Sequence, residues 1–211
     1  MMDIIKLILT AGISYLIGSI PTAFIFGKLL KGIDIRQHGS GNMGASNAFR
    51  VLGKVPGSVV LVLDIVKGII PVVYVAGFLS PLELGRVIAA GAAVTGHNWT
   101  CFLQFRGGKG IATSLGVLLG LTIAIPDIRW PVVLCILSWL ACFLMTAYIS
   151  LSSLVAAVVL PIFMVVFSAP LFVTSLCIVF CIFVVVRHRP NIHRLLGGQE
   201  PKVPLPFHRS K

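Results

Sequence analysis

Apolar residues gather into seven runs along the chain, at about 4–27, 55–79, 86–100, 110–125, 131–149, 154–168 and 171–186, with short polar or proline-marked breaks between them. A bilayer core about 30 Å thick is crossed by roughly 20 helical residues. The pattern therefore predicts an all-α membrane protein, a bundle of seven transmembrane helices. The third run is short for a full crossing and predicts a half-embedded or tilted helix. Gly18 and Pro21 predict a kink at the lower end of the first run. Turns are expected at Ser80, Pro81 and Gly85, at Pro126 and Asp127 with Pro131, over the hydroxyl-rich stretch from Tyr148 to Ser153, and at Ala169-Pro170. The first run continues into polar sequence with no small-residue cleavage site, which predicts a retained helix and not a signal peptide.

Composition supports a multi-pass protein of one domain, residues 1–211. Hydrophobic residues make up 57% of the chain and charged residues 11%, with a mean hydropathy of +1.03, whereas soluble domains carry about 25% charge. With the C-terminus inside, the segments on that side collect Lys28, Lys31, Arg36, Arg50, Lys54, Arg106, Lys109, Arg187, Arg189, Arg194, Lys202, Arg209 and Lys211, while the outer ones keep Lys6, Arg86 and Arg129. This positive-inside bias puts the N-terminus outside and gathers the glycine-rich and basic segments on the cytoplasmic face. The net charge of +11 does not indicate nucleic acid, because the cations sit in short segments beside apolar runs and form no continuous patch. Five cysteines, Cys101, Cys135, Cys142, Cys177 and Cys181, lack a CxxC pair or a His partner at ligand spacing. They read as buried small hydrophobes, so neither a disulfide framework nor a metal site is expected.

Three polar segments break the apolar pattern: RQHGSGNMGASNAFRVLGK at 36–54, FRGGKGIATS at 105–114 and RHRPNIHRLLGG at 187–198. In the first, Gly39, Gly41 and Gly44 alternate with Ser40, Asn42, Ser46 and Asn47, a spacing that can aim backbone N–H groups into an anion-binding nest. Arg50 can grip a phosphate through two parallel hydrogen bonds. Lys109 stands beside Gly107 and Gly108, and the third segment supplies His188, Arg189, Asn191, His193 and Arg194. Together with His38 and His97 these make a composite site rich in anion-binding groups. Asp64 and Lys67 are the charges within an apolar run; three residues apart on a helix, they read as a neutralising pair or as support for the site. With six carboxylates in the whole chain, a paired-carboxylate hydrolase or a carboxylate-held divalent metal is disfavoured. Lys109 is followed by glycine and lacks GxxxxGK spacing, which excludes a nucleotide P-loop, and no GxSxG elbow occurs. None of the histidines has Asp four residues on. What remains suits phosphate-bearing substrates whose electrophile is already activated. A small organic-phosphate transporter would also want glycines, cations and broken helices, although no internal repeat is visible; a non-catalytic scaffold is a third reading.

The three segments HGSGNMGASNAFRVLGK, GHNWTCFLQFRGGKGIATSLG and RHRPNIHRLLGGQEPK resemble, in order and spacing, the signature motifs of the bacterial acyl-phosphate:glycerol-3-phosphate 1-acyltransferases. SIPTAFIFGK and DIVKG are also similar to family segments, so the resemblance covers nearly the whole chain. Asn98-Trp99-Thr100 departs from the Phe-Pro the family more often has after Gly-His. The resemblance implies a seven-helix enzyme of the bacterial cell (inner) membrane with its site on the cytoplasmic face. Its substrates would be acyl phosphate and glycerol 3-phosphate and its products lysophosphatidic acid and inorganic phosphate, without a cofactor, and it would be coupled to an acyl-phosphate-forming enzyme. Ser40, Arg50, Lys109, Asn191 and His188 are then the catalytic candidates. Gly39, Gly41, Asn42, Gly44, Ser46, Asn47, Gly107, Gly108, His97 and Arg189 would bind substrate. Either the leaving phosphate or His188 would accept the hydroxyl proton.

Overall fold

The computed structural model describes residues 2–204; Arg209 and Lys211, counted above among the inner-face cations, lie outside the described residues. Every apolar run is helical. Contacts divide the chain into two compact units, Met1–Ile125 and Pro126–Lys211.

In the first unit, α1 (Met2–Ser19) stops at Pro21 and α2 (Thr22–Lys31) resumes beyond it. The break falls where the sequence predicts a kink, because proline supplies no N–H and restricts the residue before it. The segment expected as a glycine-rich loop carries a helix of its own, α3 (Ala45–Leu52). Next come α4 (Lys54–Ile70), one π turn at Pro71–Val75, and the short α5 (Ala76–Leu79). The turn at Ser80 is narrower than expected, since Gly85 already belongs to α6 (Glu83–Asn98). The second polar segment then leads into α7 (Ile111–Ala124).

These helices turn small and polar residues inward and aliphatic ones outward. α1 buries Thr10, Ser14, Gly18 and Ser19 while Ile4, Ile5, Ile8, Leu9 and Leu16 are exposed. That is the arrangement of a membrane bundle, where lipid is as apolar as leucine and close backbone approach holds helices together. A Cβ on Gly18 would collide with the Ala93 carbonyl of α6, and one on Gly96 with the Tyr15 carbonyl of α1. Gly68 and Gly116 perform the same service between α4 and α7, meeting Thr113 and Ile65 backbone. A separate apolar cluster of Ala23, Ile35, Met43, Ala48, Leu52 and Val60 lies beneath the first polar segment, and Leu103, just before the second, packs on it.

The second unit packs α8 (Arg129–Thr146) on α9 (Ile149–Val166), and α9 on α10 (Leu171–Arg187). Pro131 falls in the first turn of α8, where its missing N–H costs nothing. The expected turn from Tyr148 to Ser153 is corrected: the chain reverses at Ala147 and Tyr148, and the serines lie in the first turns of α9. Ser152 and Ser153 donate to the Tyr148 and Ile149 carbonyls, each at 2.8 Å, so their hydroxyls are satisfied inside the helix. After α10 the chain bends by 61° into α11 (Arg189–Leu196).

Among the described residues, four helical segments are long and apolar enough to cross a bilayer, Met2–Lys31, Lys54–Leu79, Pro126–Thr146 and Ile149–Val166, with a fifth if the bent α10–α11 pair is one span. α6 and α7 are shorter.

The α4–α7 contact makes a direct prediction. Gly116→Ala puts a methyl against the Ile65 carbonyl and is expected to destabilise the protein by about 1–3 kcal/mol. Gly12→Ala, which meets nothing within 4 Å, is expected to be neutral or mildly stabilising. Thermal unfolding in detergent checks both; equal midpoints for the two variants would contradict the close approach.

Candidate active site

Segment one is folded by its own side chains. Asp34 accepts from the backbone N–H of Arg36 at 3.0 Å and forms a two-pronged pair with its guanidinium, the shortest contact being 2.7 Å. The Arg36 hydrogen bonds hold the Asp34 carboxyl below its ordinary range, and the guanidinium lies 5.4 Å from the centre of the Phe24 ring. Asn47 is buried and acts as the clasp of the loop: its Oδ1 accepts from the Ser40 N–H at 2.8 Å, and its Nδ2 donates to the Ile35 and His38 carbonyls. Gly39 and Gly41 take positive φ of 61° and 69°, a conformation glycine adopts without penalty.

The expected nest is not formed at these positions. The N–H groups of Ser40, Gly41 and Gly44 donate to Asn47, the His38 carbonyl and Asn42 respectively. Glycine here shapes the loop instead of presenting amides. What does face outward is the side-chain set Ser40, Ser46 and Arg50, all exposed, with Asn42 half-buried. The start of α3 after Gly44 has no side-chain cap, so its first N–H groups lack partners within the helix.

Segment two is fastened to the end of α6. Gly107 and Gly108 donate their N–H groups to the carbonyls of Asn98 and His97 at 3.1 and 3.0 Å. A Cβ on Gly108 would collide with the His97 ring, so only glycine lets the loop lie on the imidazole. Lys109 is half-buried, and Gly110 at φ 80° turns the chain into α7, which also starts without a side-chain cap. His97, expected to touch substrate, is buried beneath this loop, with Nδ1 3.1 Å from the Thr113 hydroxyl and 3.8 Å from Asp64 Oδ1. Asp64 and Lys67 do pair, at 2.8 Å and almost wholly buried.

Segments one and two share a cleft of about 420 Å³ lined by Asp34, Arg36, Gln37, Gly41, Met43, Gln104, Arg106 and Gly107. Of the predicted site residues, Gly41 and Gly107 line it. Gln37, Gln104 and Arg106 were missed as site candidates. Their signal was positional: each flanks a glycine cluster, and Gln104 and Phe105 take positive φ of 55° and 58°, uncommon for side chains of this kind.

Segment three is organised within the second unit. His188 is buried at the α10–α11 bend with Nδ1 2.8 Å from the Val184 carbonyl. A carbonyl only accepts, so Nδ1 carries a proton, and when the ring is neutral the lone pair is on Nε2. Asn191 is buried and donates to Glu200 Oε1 at 2.6 Å, while Arg194 Nε donates to Oε2 at 2.7 Å. Arg189 is exposed. Burial alone would raise the Glu200 pKa, but the hydrogen bonds from Asn191 and Arg194 outweigh it and hold the carboxyl below its ordinary range.

A family profile described as glycerol-3-phosphate acyltransferase matches residues 8–198. The chain is 42% identical to the glycerol-3-phosphate acyltransferase of Gloeobacter violaceus, over 90% of this chain and 91% of that one. It is 43% identical to glycerol-3-phosphate acyltransferase 2 of Moorella thermoacetica, over 90% and 94%. Its fold is similar to the crystal structure of PlsY (YgiH), an integral membrane glycerol 3-phosphate acyltransferase. The glycerol 3-phosphate form gives a TM-score of 0.84 at 36% identity, over 94% of this chain and 96% of that one. The lysophosphatidic acid form gives 0.79 at 35%, over 96% and 95%.

The Glu200 clamp carries a pH dependence. A carboxyl whose folded pKa lies below its ordinary 4.5 contributes stability above that value and loses it as pH falls through the depressed one. Wild type is therefore expected to lose unfolding midpoint more steeply below pH 4.5 than Glu200→Gln does. Parallel pH profiles would contradict the clamp.

Proposed function

The chain belongs to the glycerol-3-phosphate acyltransferase family, and we propose that this multi-pass membrane protein transfers a fatty acyl group from acyl phosphate to the sn-1 hydroxyl of glycerol 3-phosphate. The observation that carries this reading is the cleft common to segments one and two, with Arg36 and Gly41 on one side and Arg106 and Gly107 on the other. Two phosphate-bearing reactants must approach without their charges repelling, and the Arg106 guanidinium, opposite an Arg36 held in place by its pair with Asp34, serves that need. The similar crystal structures were solved in glycerol 3-phosphate and lysophosphatidic acid forms, the acceptor and the product of this reaction.

In the proposed reaction the sn-1 oxygen attacks the acyl carbon, the bond from that carbon to the bridging phosphate oxygen breaks, and inorganic phosphate leaves. A mixed anhydride is activated already, so positioning and charge stabilisation supply most of the acceleration. Ser40 and Arg50 hold one phosphate beside the uncapped start of α3, whose dipole favours an anion. Lys109, before the uncapped start of α7, holds the other or the developing oxyanion. Asn42, Ser46, Asn191 and Arg189 are assigned to substrate by motif resemblance. The leaving phosphate accepts the hydroxyl proton; His188, with its lone pair on Nε2, is the alternative base. Both segments lie at the cytoplasmic face of the bacterial inner membrane in a seven-crossing topology with the N-terminus outside, as the distribution of Lys and Arg supports. An acyl-phosphate-forming enzyme supplies the donor.

Purified protein given acyl phosphate and glycerol 3-phosphate is expected to release inorganic phosphate in step with lysophosphatidate, and Lys109→Ala or Arg50→Ala to slow this about 10²–10³-fold without loss of fold. Near-normal turnover in these variants would refute their roles, and flux across liposomes without chemistry would favour transport. His188→Gln is expected to cost less than either; complete loss with intact glycerol 3-phosphate binding would make the imidazole the base.

A further inference from the structure

The buried Asp64–Lys67 pair is not used by the reaction just described, and its partners show what it does. Lys67 Nζ donates to the Ile20 carbonyl at 2.8 Å, and Asp64 Oδ1 accepts from the Thr22 hydroxyl at 2.6 Å. Ile20 and Thr22 flank Pro21, so one pair on α4 grips both sides of the break between α1 and α2. The same Oδ1 lies 3.8 Å from His97 Nδ1, and the His97 ring is the floor on which Gly108 rests. Beyond the break, α2 leads to segment one; beyond His97, the chain enters segment two. The pair thus touches the support of both segments.

Lys67 satisfies a carbonyl at the helix break, but stability alone does not account for a buried ion pair there. Buried ion pairs are often no more stabilising than apolar residues of the same volume. Asp64 Oδ2 is buried without a hydrogen-bond partner, an omission that costs free energy and calls for an explanation. The geometry points to Asp64 and Lys67 as positioning residues for the acyl transfer, which fix the register between the two phosphate-binding segments. This rests on the function proposed above. Each segment keeps its own anion-binding groups when the register slips, so each substrate still binds; the approach of hydroxyl to acyl carbon is what is lost.

Thr22→Val is nearly isosteric and removes only the hydroxyl that donates to Asp64; Thr22→Ser restores it. In the full-length protein, Thr22→Val is expected to lower the unfolding midpoint modestly, because a buried carboxylate loses a donor, yet to stay folded at the assay temperature with a wild-type stoichiometry of glycerol 3-phosphate binding by calorimetry, which counts folded sites. Its kcat should fall about 10²-fold while KM for either substrate moves less than about threefold, and Thr22→Ser should recover the rate. Asp64→Leu/Lys67→Met, a second variant with apolar side chains in place of the pair, is expected to fold and to show the same loss; should it not fold, the Thr22 variants decide. Full kcat in a folded variant, or a loss matched by an equal loss of binding stoichiometry, overturns the inference and leaves acyl transfer standing. A wild-type protein that forms no lysophosphatidate overturns both.

Discussion

A helix broken inside an apolar layer leaves carbonyl groups that water does not reach, and each costs several kcal/mol if unpaired. In this chain the break at Pro21 is answered from two other helices. The Ser19 carbonyl accepts from Thr100, just past α6, at 2.6 Å, and the Ile20 carbonyl accepts from the Thr22 N–H at 3.1 Å and from Lys67 of α4 at 2.8 Å. Tyr15 returns the link by donating to the Trp99 carbonyl at 2.7 Å. Satisfying the broken end of α1 therefore fixes α4 and the exit of α6 against it. The polar segments on either side inherit their placement from those bonds.

The glycines of the two segments follow from the same constraint. Gly107 and Gly108 lie flat on the end of α6 and give their amides to its last carbonyls, which caps that helix. Gly39 and Gly41 permit the turn that Asn47 clasps. Their backbone is thus committed to structure. The groups left for anions are side chains and the uncapped starts of α3 and α7, each directly after a glycine. Arg36 lines the cleft while paired with Asp34, which tempers its charge and holds its plane in one orientation.

The elements that the sequence made legible are those with a local cause. Proline announced the break after α1, charge in an apolar run announced Asp64 and Lys67, and apolar length announced the long helices but not α3 or α11, which lie in polar segments. The surroundings that were not legible depend on partners distant in the chain. His97 looked like a ligand because nothing near it in sequence reveals that Gly108 covers it. The glycine run looked like a nest because the clasp is a single side chain, Asn47, whose role appears only when the loop closes on it. Tyr148 to Ser153 suggested a turn because serine favours turns, but Ser152 and Ser153 are satisfied by preceding helical carbonyls, and Ala147 at φ 61° had already turned the chain. Glu200 lies in the third signature motif without being singled out there, yet it holds both Asn191 and Arg194.

The central claim is that segments one and two hold both anionic reactants in one cleft. Crystallography of this protein with glycerol 3-phosphate and a non-hydrolysable acyl phosphonate tests it most directly. One phosphorus atom is predicted within hydrogen-bonding reach of Arg50 and the other within reach of Lys109, with the cleft lined by Gly41 and Gly107 joining the two positions. Either anion bound elsewhere, or the two bound too far apart for the hydroxyl to meet the acyl carbon, would contradict the account.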